Sequence, residues 1–287
     1  MHVSKDRVEP TSLAHPVARR TVLAWSGAAS LAALAATPRA SAAEATAAAG
    51  AKAPAPDSLD ARGVELYMKL HAATDDGIVP WYYTGRIYAI RERQAPLHLF
   101  NLEGTEIYWV RRVGPAEWRS TSSTLTFYRD ASSGEYLDSY VNPLNDRKLA
   151  LYPNVLRSRP GTFATFSARG QEGNGAVAPW MVETHRNGGV LWLTTHRASP
   201  TMPQPWMETQ TIFGAERELD DPKQPNPPTT FTSSYSAPYL KWMEMGDLPG
   251  HLLWHSSGRK LAGLDELPAA YRKRADALQP QHFTAPV

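Results

Sequence analysis

From Pro80 to about residue 235 the chain keeps a two-residue period, in which β-branched and aromatic side chains alternate with polar ones and Gly, Pro, Asn and Ser cut the run into short lengths. That pattern excludes a helical bundle and calls for strands whose two faces meet different surroundings. Strands are expected over 81–91, 97–102, 106–113, 117–128, 135–141, 148–152, 162–168, 178–186, 190–197, 207–218 and 229–235. Turn chemistry separates them at Ser132-Ser133-Gly134, Gly170 to Gly175, Asn187-Gly188-Gly189 and the proline-laden 222–228. So many closely spaced antiparallel strands predict a mainly β (α+β) fold, a strongly curved antiparallel sheet or β-barrel-like domain. Flanking helices are expected, one capped by Ser58 and running to about His71, the other over Leu264 to Leu278 with Pro268 in its first turn. No fixed-period repeat and no composition break interrupts 58–280, so 58–287 reads as one domain, large enough to bury its own core. The chain has no cysteine, which excludes disulfides, thiolate metal sites, iron–sulfur clusters and cysteine nucleophiles.

Ahead of this domain, residues 1–42 have the layout of an export signal. Arg19-Arg20 precedes the apolar run Thr21 to Ala36, and Ala40-Ser41-Ala42 supplies a small-residue cleavage site. The arginine pair points to the twin-arginine route, with the twin-arginine export machinery as a partner and a periplasmic or secreted address. The apolar run is shorter than the ~20 residues that span a bilayer, and no later segment reaches that length. Residues 43–57 are Ala/Pro-rich and read as a spacer. Removing 1–42 leaves 25 basic and 26 acidic residues, so the basic balance of the whole chain belongs to the leader. A nucleic-acid partner then loses its electrostatic basis, and a small-molecule ligand is the expected partner.

Familiar catalytic signatures are missing: no G-x-G-x-x-G after a strand, no phosphate loop, no H-E-x-x-H and no G-x-S-x-G. Ser257-Gly258-Arg259-Lys260 matches S-x-x-K without its companion motifs. His251 and His255 would share a helical face as metal ligands do, yet neither a carboxylate nor a third histidine sits at a matching distance, so no metal site is expected and no cofactor is named. Two other segments carry more. Along 81–90 one parity holds Trp81, Tyr83, Gly85, Ile87 and Ala89, which read as packing. The other holds Tyr82, Thr84, Arg86, Tyr88 and Ile90, which combine aromatic area with hydrogen-bond donors as ligand sites do. In 180–196, a two-residue turn at Gly188-Gly189 pairs Asn187 with Val190, His185 with Trp192 and Glu183 with Thr194. Glu183, His185 and His196 then share a face, a carboxylate orienting an imidazole as an acid/base unit. Among the remaining carboxylates, Glu103-Gly104 reads as a turn where strand 97–102 ends, Glu106 lies beside it, and Glu208 follows Trp206-Met207.

The segments V-P-W-Y-Y-T-G-R-I-Y-A-I (79–90) and P-L-H-L-F-N-L-E-G (96–104), the stretch Ser133-Gly134-Glu135 leading to Asn142-Pro143, and W-M-E-M-G-D-L-P-G-H (242–251) together resemble the domain of unknown function 1838 family. Tyr140 stands where that family usually has tryptophan. The resemblance implies one β-rich domain, frequently behind an export signal, and it supplies no reaction and no catalytic residue.

The expected function is therefore small-molecule binding with acid/base chemistry, an isomerase, lyase or hydrolase acting on a hydrophobic or aromatic compound; the alternative is a noncatalytic ligand- or protein-binding module. In the first reading His185 or His196 carries the proton, Glu183 orients it and Arg86 stabilises an anion, while Tyr82, Tyr88, Trp192, Trp206 and Glu208 bind the ligand.

Overall fold

The computed structural model describes residues 59–173, 176–178, 180–199 and 206–286. The expected export signal and spacer lie outside the described residues, as does Ser58. Helix α1 (Ala61–His71) is capped by Asp60 instead, whose carboxylate accepts from the Gly63 N–H at 2.7 Å. Strands β1 (Gly77–Ile90), β2 (Leu97–Gly114) and β3 (Glu117–Asp130) follow, then the short β4 (Ser139–Val141), β5 (Lys148–Ala150), β6 (Asn154–Arg157), β7 (Ala164–Ser167), β8 (Gly170–Gly173) and β9 (Ala176–Ala178). The chain continues with β10 (Val182–Asn187), β11 (Val190–Ser199), β12 (Trp206–Ala215), α2 (Glu216–Leu219), β13 (Thr230–Ala237), β14 (His251–Lys260) and α3 (Ala269–Leu278).

Several expected boundaries change: the expected turn at Gly170 to Gly175 holds β8, the run 178–186 divides between β9 and β10, β6 lies between expected strands, and the helix expected from Leu264 begins at Ala269. The runs 97–102 and 106–113 are one strand, because Glu103-Gly104 does not turn. Gly104 instead lies under the Tyr83 ring, where a Cβ would come within 2.5 Å of Cζ. The run 207–218 ends as a strand at Ala215 and turns into α2. Finally, His251 to Lys260, with no strand expected from its sequence, forms a strand that pairs with β1 from Trp81↔Lys260 to Ile90↔His251.

One antiparallel sheet runs in the order β10-β11-β12-β13-β14-β1-β2-β3-β7-β8-β9, with β6 also on β3. Its two end strands, β9 and β10, are separated in sequence only by residues 179–181. At 3.8 Å per Cα step those ends lie within about 15 Å of each other, so the sheet has to curl. It forms a half-barrel.

Curling decides which parity is inside. One apolar cluster joins Trp81, Tyr108, Trp118 and Phe166 with Leu191, Leu193, Ile212 and Phe231, from both arms of the sheet, around Val64, Tyr67, Met68 and Leu70 of α1. Only the concave face brings those arms together, so α1 fills part of the hollow. A second inner cluster packs Ile87, Phe100, Leu102, Tyr128 and Leu252 against Met243. On the convex face α3 sets Tyr271 and Ala275 on Leu125 and Phe127.

The sheet also caps the last carbonyls of α1. Lys260 Nζ donates to the Lys69 and Ala72 carbonyls at 2.6 and 2.8 Å, Trp81 Nε1 to His71 at 2.9 Å, and Thr229 Oγ1 to Leu70 at 2.8 Å. Lys69 Nζ in turn donates to the carbonyls of Leu219 and Asp221, tying α1 to α2.

Candidate functional site

The inner parity of each long strand carries a polar group into an otherwise apolar hollow. On β2, Glu106 and Tyr108 alternate with the outward Thr105, and Glu106 faces Trp81 across the ladder. On β11 the apolar series Leu191, Leu193, Thr195 ends in Arg197, which is in register with Glu208 of β12. Register then continues through Glu208↔Tyr235 to Tyr235↔Trp254, so Arg197, Glu208, Tyr235 and Trp254 form one transverse inner row. Helix α1 projects Tyr67 toward the Arg197 end of that row, and the curl brings Glu106 within electrostatic range of both Arg197 and Glu208.

Burial pushes the Glu106 carboxyl up from its ordinary value, while hydrogen bonds from Tyr108 and Thr124 pull the other way, and the charge of Glu208 adds to the upward push. Tyr108 is raised well above the usual phenol range by burial and by Glu106. Arg197 stays charged among Tyr67, Glu208, Tyr108 and Glu106. Glu208 Oε1 accepts from Ser233 Oγ at 3.2 Å. Glu106, Arg197 and Glu208 all keep partial solvent contact. Tyr67 is fully buried, which pushes its phenol up, while Arg197, within hydrogen-bonding reach of its oxygen, pulls the other way. The Trp254 Nε1 is buried without a partner. His71 stacks on Tyr67 with ring centroids 5.1 Å apart, and burial, with Arg197 and Lys260 nearby, pushes it down to about 3, so it is a neutral imidazole.

The rest of the row is aromatic. Trp206 packs on Tyr235 at 5.9 Å, Tyr235 on Trp254 at 6.5 Å, and Trp254 on Tyr128 at 6.4 Å, with Trp242 beyond at 5.6 Å from Tyr128. A carboxyl held toward its protonated form, phenol donors, a guanidinium and a second carboxylate beside an aromatic wall can move a proton and stabilise the oxygen charge that results.

Of the residues singled out from sequence, Trp206 and Glu208 belong to this inner row. The others lie on the convex face. Gly188 and Gly189 turn with φ of 60° and 78°, and the pairs Asn187↔Val190, His185↔Trp192 and Glu183↔Thr194 form in the expected register. His196 Nε2 reaches Glu183 Oε1 at 3.6 Å and His196 Nδ1 reaches Thr209 Oγ1 at 3.3 Å, while Glu183 and His185 are exposed. Arg86 pairs with His255 on β14, four strands from His196, about 19 Å of sheet at roughly 4.8 Å per strand. Arg86 and the histidine pair therefore share no common hollow. Tyr82 bonds to Glu103, Tyr88 stacks on His98, and Trp192 stands opposite Phe213. His251 and His255 occupy the convex parity of a strand, and among the described residues no three His, Asp or Glu side chains converge as metal ligands do. No helix among the described residues is long and apolar enough to cross a membrane.

Sequence reasoning missed Tyr67, Tyr108 and Arg197 as site residues, and it noted Glu106 without a role. The signal was present on β11, where Leu191, Leu193 and Thr195 form the apolar parity and Arg197 interrupts it.

No curated protein and no solved structure matches the chain. A family model described as protein of unknown function (DUF1838) matches residues 77–158 and 193–287, a span that includes Tyr83, Glu106, Tyr108, Arg197, Glu208, Tyr235 and Trp254. With more than half of its length matched, the chain belongs to the DUF1838 family.

Proposed function

We propose that the hollow of the half-barrel binds a small molecule and carries out acid/base chemistry on it, with Glu106 as the proton carrier. The observation that supports this reading is the meeting of Glu106, Tyr108, Tyr67, Arg197 and Glu208, from α1 and both arms of the sheet, on the inner face of the half-barrel, where Glu106, Arg197 and Glu208 keep partial solvent contact. A carboxyl with a raised pKa is a better base near neutral pH than an exposed one. In the proposed step Glu106 takes the proton beside a ligand carbonyl. Tyr67 donates a hydrogen bond to the oxygen that gains charge, Tyr108 keeps its single O–H on Glu106, and Arg197, with Glu208 nearby, holds that charge in place. Returning the proton to another carbon completes an isomerisation.

The test is hydrogen–deuterium exchange in D2O over a panel of enolisable cyclic and aryl ketones, read by NMR. The purified domain is expected to catalyse exchange on at least one member, and Glu106→Gln to slow it about 100-fold or more. Exchange that survives Glu106→Gln and disappears in His196→Ala would place the chemistry on the convex face instead. Tight retention of a panel member with no exchange would favour the noncatalytic binder.

We also propose that the domain works outside the cytoplasm, supported by Arg19-Arg20, the apolar run to Ala36 and Ala40-Ser41-Ala42. Fusing residues 1–57 to a reporter that folds before export tests this: the fusion is expected in the periplasm or medium, and Arg19→Lys with Arg20→Lys to retain it in the cytoplasm. Equal export of both fusions would rule out the twin-arginine route.

A further inference from the structure

We infer that the convex face of the sheet binds a linear, uncharged β-1,4-linked glycan, with one sugar seated in the cleft beside Phe213. This site is separate from the inner hollow and does not depend on the reading given to it. At one level of the outer parity an unbroken row of hydroxyls crosses five adjacent strands: Thr194 of β11, Thr211 of β12, Thr232 of β13, Ser257 of β14 and Thr84 of β1, each in register with the next. Four strand spacings make that row about 19 Å long. Every member is partly or fully exposed. Thr194 and Thr211 share one bond at 2.9 Å, and Thr232 makes only a 3.5 Å approach to the Ser256 carbonyl. Ser257 and Thr84 have no side-chain partner among the described residues. A hydroxyl both donates and accepts, so the row suits a ligand that presents a row of hydroxyls of its own.

A second row runs beside the first, two residues along each strand and roughly 7 Å away. It holds Trp192, Phe213, Thr230 and Arg259, again in register. Trp192 and Phe213 are partly exposed, and neither packs on another ring among the described residues. Open rings on a sheet face offer the flat apolar surface that the C–H face of a sugar covers. Beside Phe213 the end of the sheet opens into a cleft of about 350 Å³, with Gly214, Glu218, Thr230 and Arg259 also on its wall. That is room for one sugar ring, and Thr230 and Glu218 offer it a donor and acceptors. An extended β-1,4-linked chain advances by close to one strand spacing per sugar, so successive rings come over successive strands between the two rows.

Charge selects an uncharged chain. The ions bordering this track have counter-ions in place: Arg259 pairs with Glu266 at 3.0 Å, Glu218 approaches Arg217 at 3.6 Å, and Glu183 approaches His196 at 3.6 Å. A neutral ligand leaves those pairs as they are, whereas a polyanion meets their carboxylates. Arg86 has no acidic partner among the described residues, but it lies on the far side of the hydroxyl row, between His255 and Asn101.

Calorimetric titration of the purified protein with cellohexaose, cellobiose and hexagalacturonate tests this. Cellohexaose is expected to bind about 10-fold tighter or more than cellobiose, because only the longer chain reaches from the cleft along the hydroxyl row, and tighter than hexagalacturonate. Trp192→Ala and Phe213→Ala are each expected to weaken it about 5- to 20-fold. Thr211→Val keeps the side-chain shape and removes one hydroxyl, with an expected loss of about 2- to 5-fold. Urea unfolding of each variant separates lost binding from lost folding, and Trp192→Ala and Thr211→Val, at positions open to solvent, are expected to keep the fold. No measurable binding of cellohexaose, equal binding of hexamer and dimer, tightest binding by hexagalacturonate, or full affinity in both Trp192→Ala and Thr211→Val overturns the inference.

Discussion

A carboxylate taken out of water needs several hydrogen bonds to compensate for its lost hydration, and Glu103 has three. It is 3% exposed, in the middle of β2 on the convex face. It accepts from Tyr82 and Tyr136 hydroxyls at 2.5 Å each and from Arg129 Nη1 at 3.0 Å, while Arg129 also lies over the Tyr136 ring at 4.7 Å. Its neighbour Gly104 makes Glu103 read as a turn residue in the sequence, because the partners that define it are 21 to 33 residues away. Tyr82, which the sequence suggests as a ligand contact, is instead a donor in this network. The cluster joins β1, β2, β3 and the segment before β4, so its loss should appear in stability. Glu103→Leu is expected to lower the unfolding free energy by about 3 kcal/mol, the low end for breaking a buried charge pair because both tyrosines are partly exposed. Tyr136→Phe, which removes one bond to the carboxylate, should cost about 1.5 kcal/mol. Urea titration reads both, and a loss below about 1 kcal/mol for Glu103→Leu would show that the network is not holding the strands together.

At the level of elements, what the sequence reveals depends on how local the determining physics is. The β10–β11 hairpin is legible down to its register, because two consecutive glycines at positive φ fix the turn and the turn fixes every pair. The alternation on β1 is legible too, with Trp81, Tyr83 and Ile87 on one face and Tyr82, Arg86 and Tyr88 on the other. Which face is inside is not, since both parities carry large aromatics and the choice is made by strands far away in sequence. β14, with its histidines, serines and a glycine, gives a weak strand signal, yet it lies against β1 for ten residues and joins the two arms of the sheet. With β14 unread, the closing of β10–β13 onto β1–β3 is invisible, and so is the inward direction of Glu106 and Arg197. The overall class, a curled antiparallel sheet with helices at both ends, survives this gap because it needs only the number and spacing of strands.

Both faces of the sheet are closed by helical segments that bury a histidine. Inside, α1 places His71 among Tyr67, Tyr108 and Phe166; outside, the segment after α3 sets His282 between Thr105 Oγ1 at 2.6 Å and Ser123 Oγ at 2.8 Å. Burial pushes both imidazoles down to about 3, with Arg197 and Lys260 adding to the effect at His71 and Arg157 and Arg272 at His282. In the unfolded chain a histidine titrates near 6.5. Between those values the unfolded state binds a proton that the folded state refuses, so stability falls as pH drops from about 6.5 toward 3. Each histidine contributes a slope of about 1.4 kcal/mol per pH unit in that window. Glu106 acts with the opposite sign: its raised carboxyl is protonated first in the folded state, which favours folding as pH falls through its folded value. Comparing parent and variant isolates the histidine contribution. Urea unfolding of His282→Gln between pH 6 and 4 is expected to show a pH slope shallower than that of the parent by about 1.4 kcal/mol per unit. Identical slopes would mean that the tail leaves its site before His282 takes up a proton, so that the C-terminal strap opens independently of the half-barrel it covers.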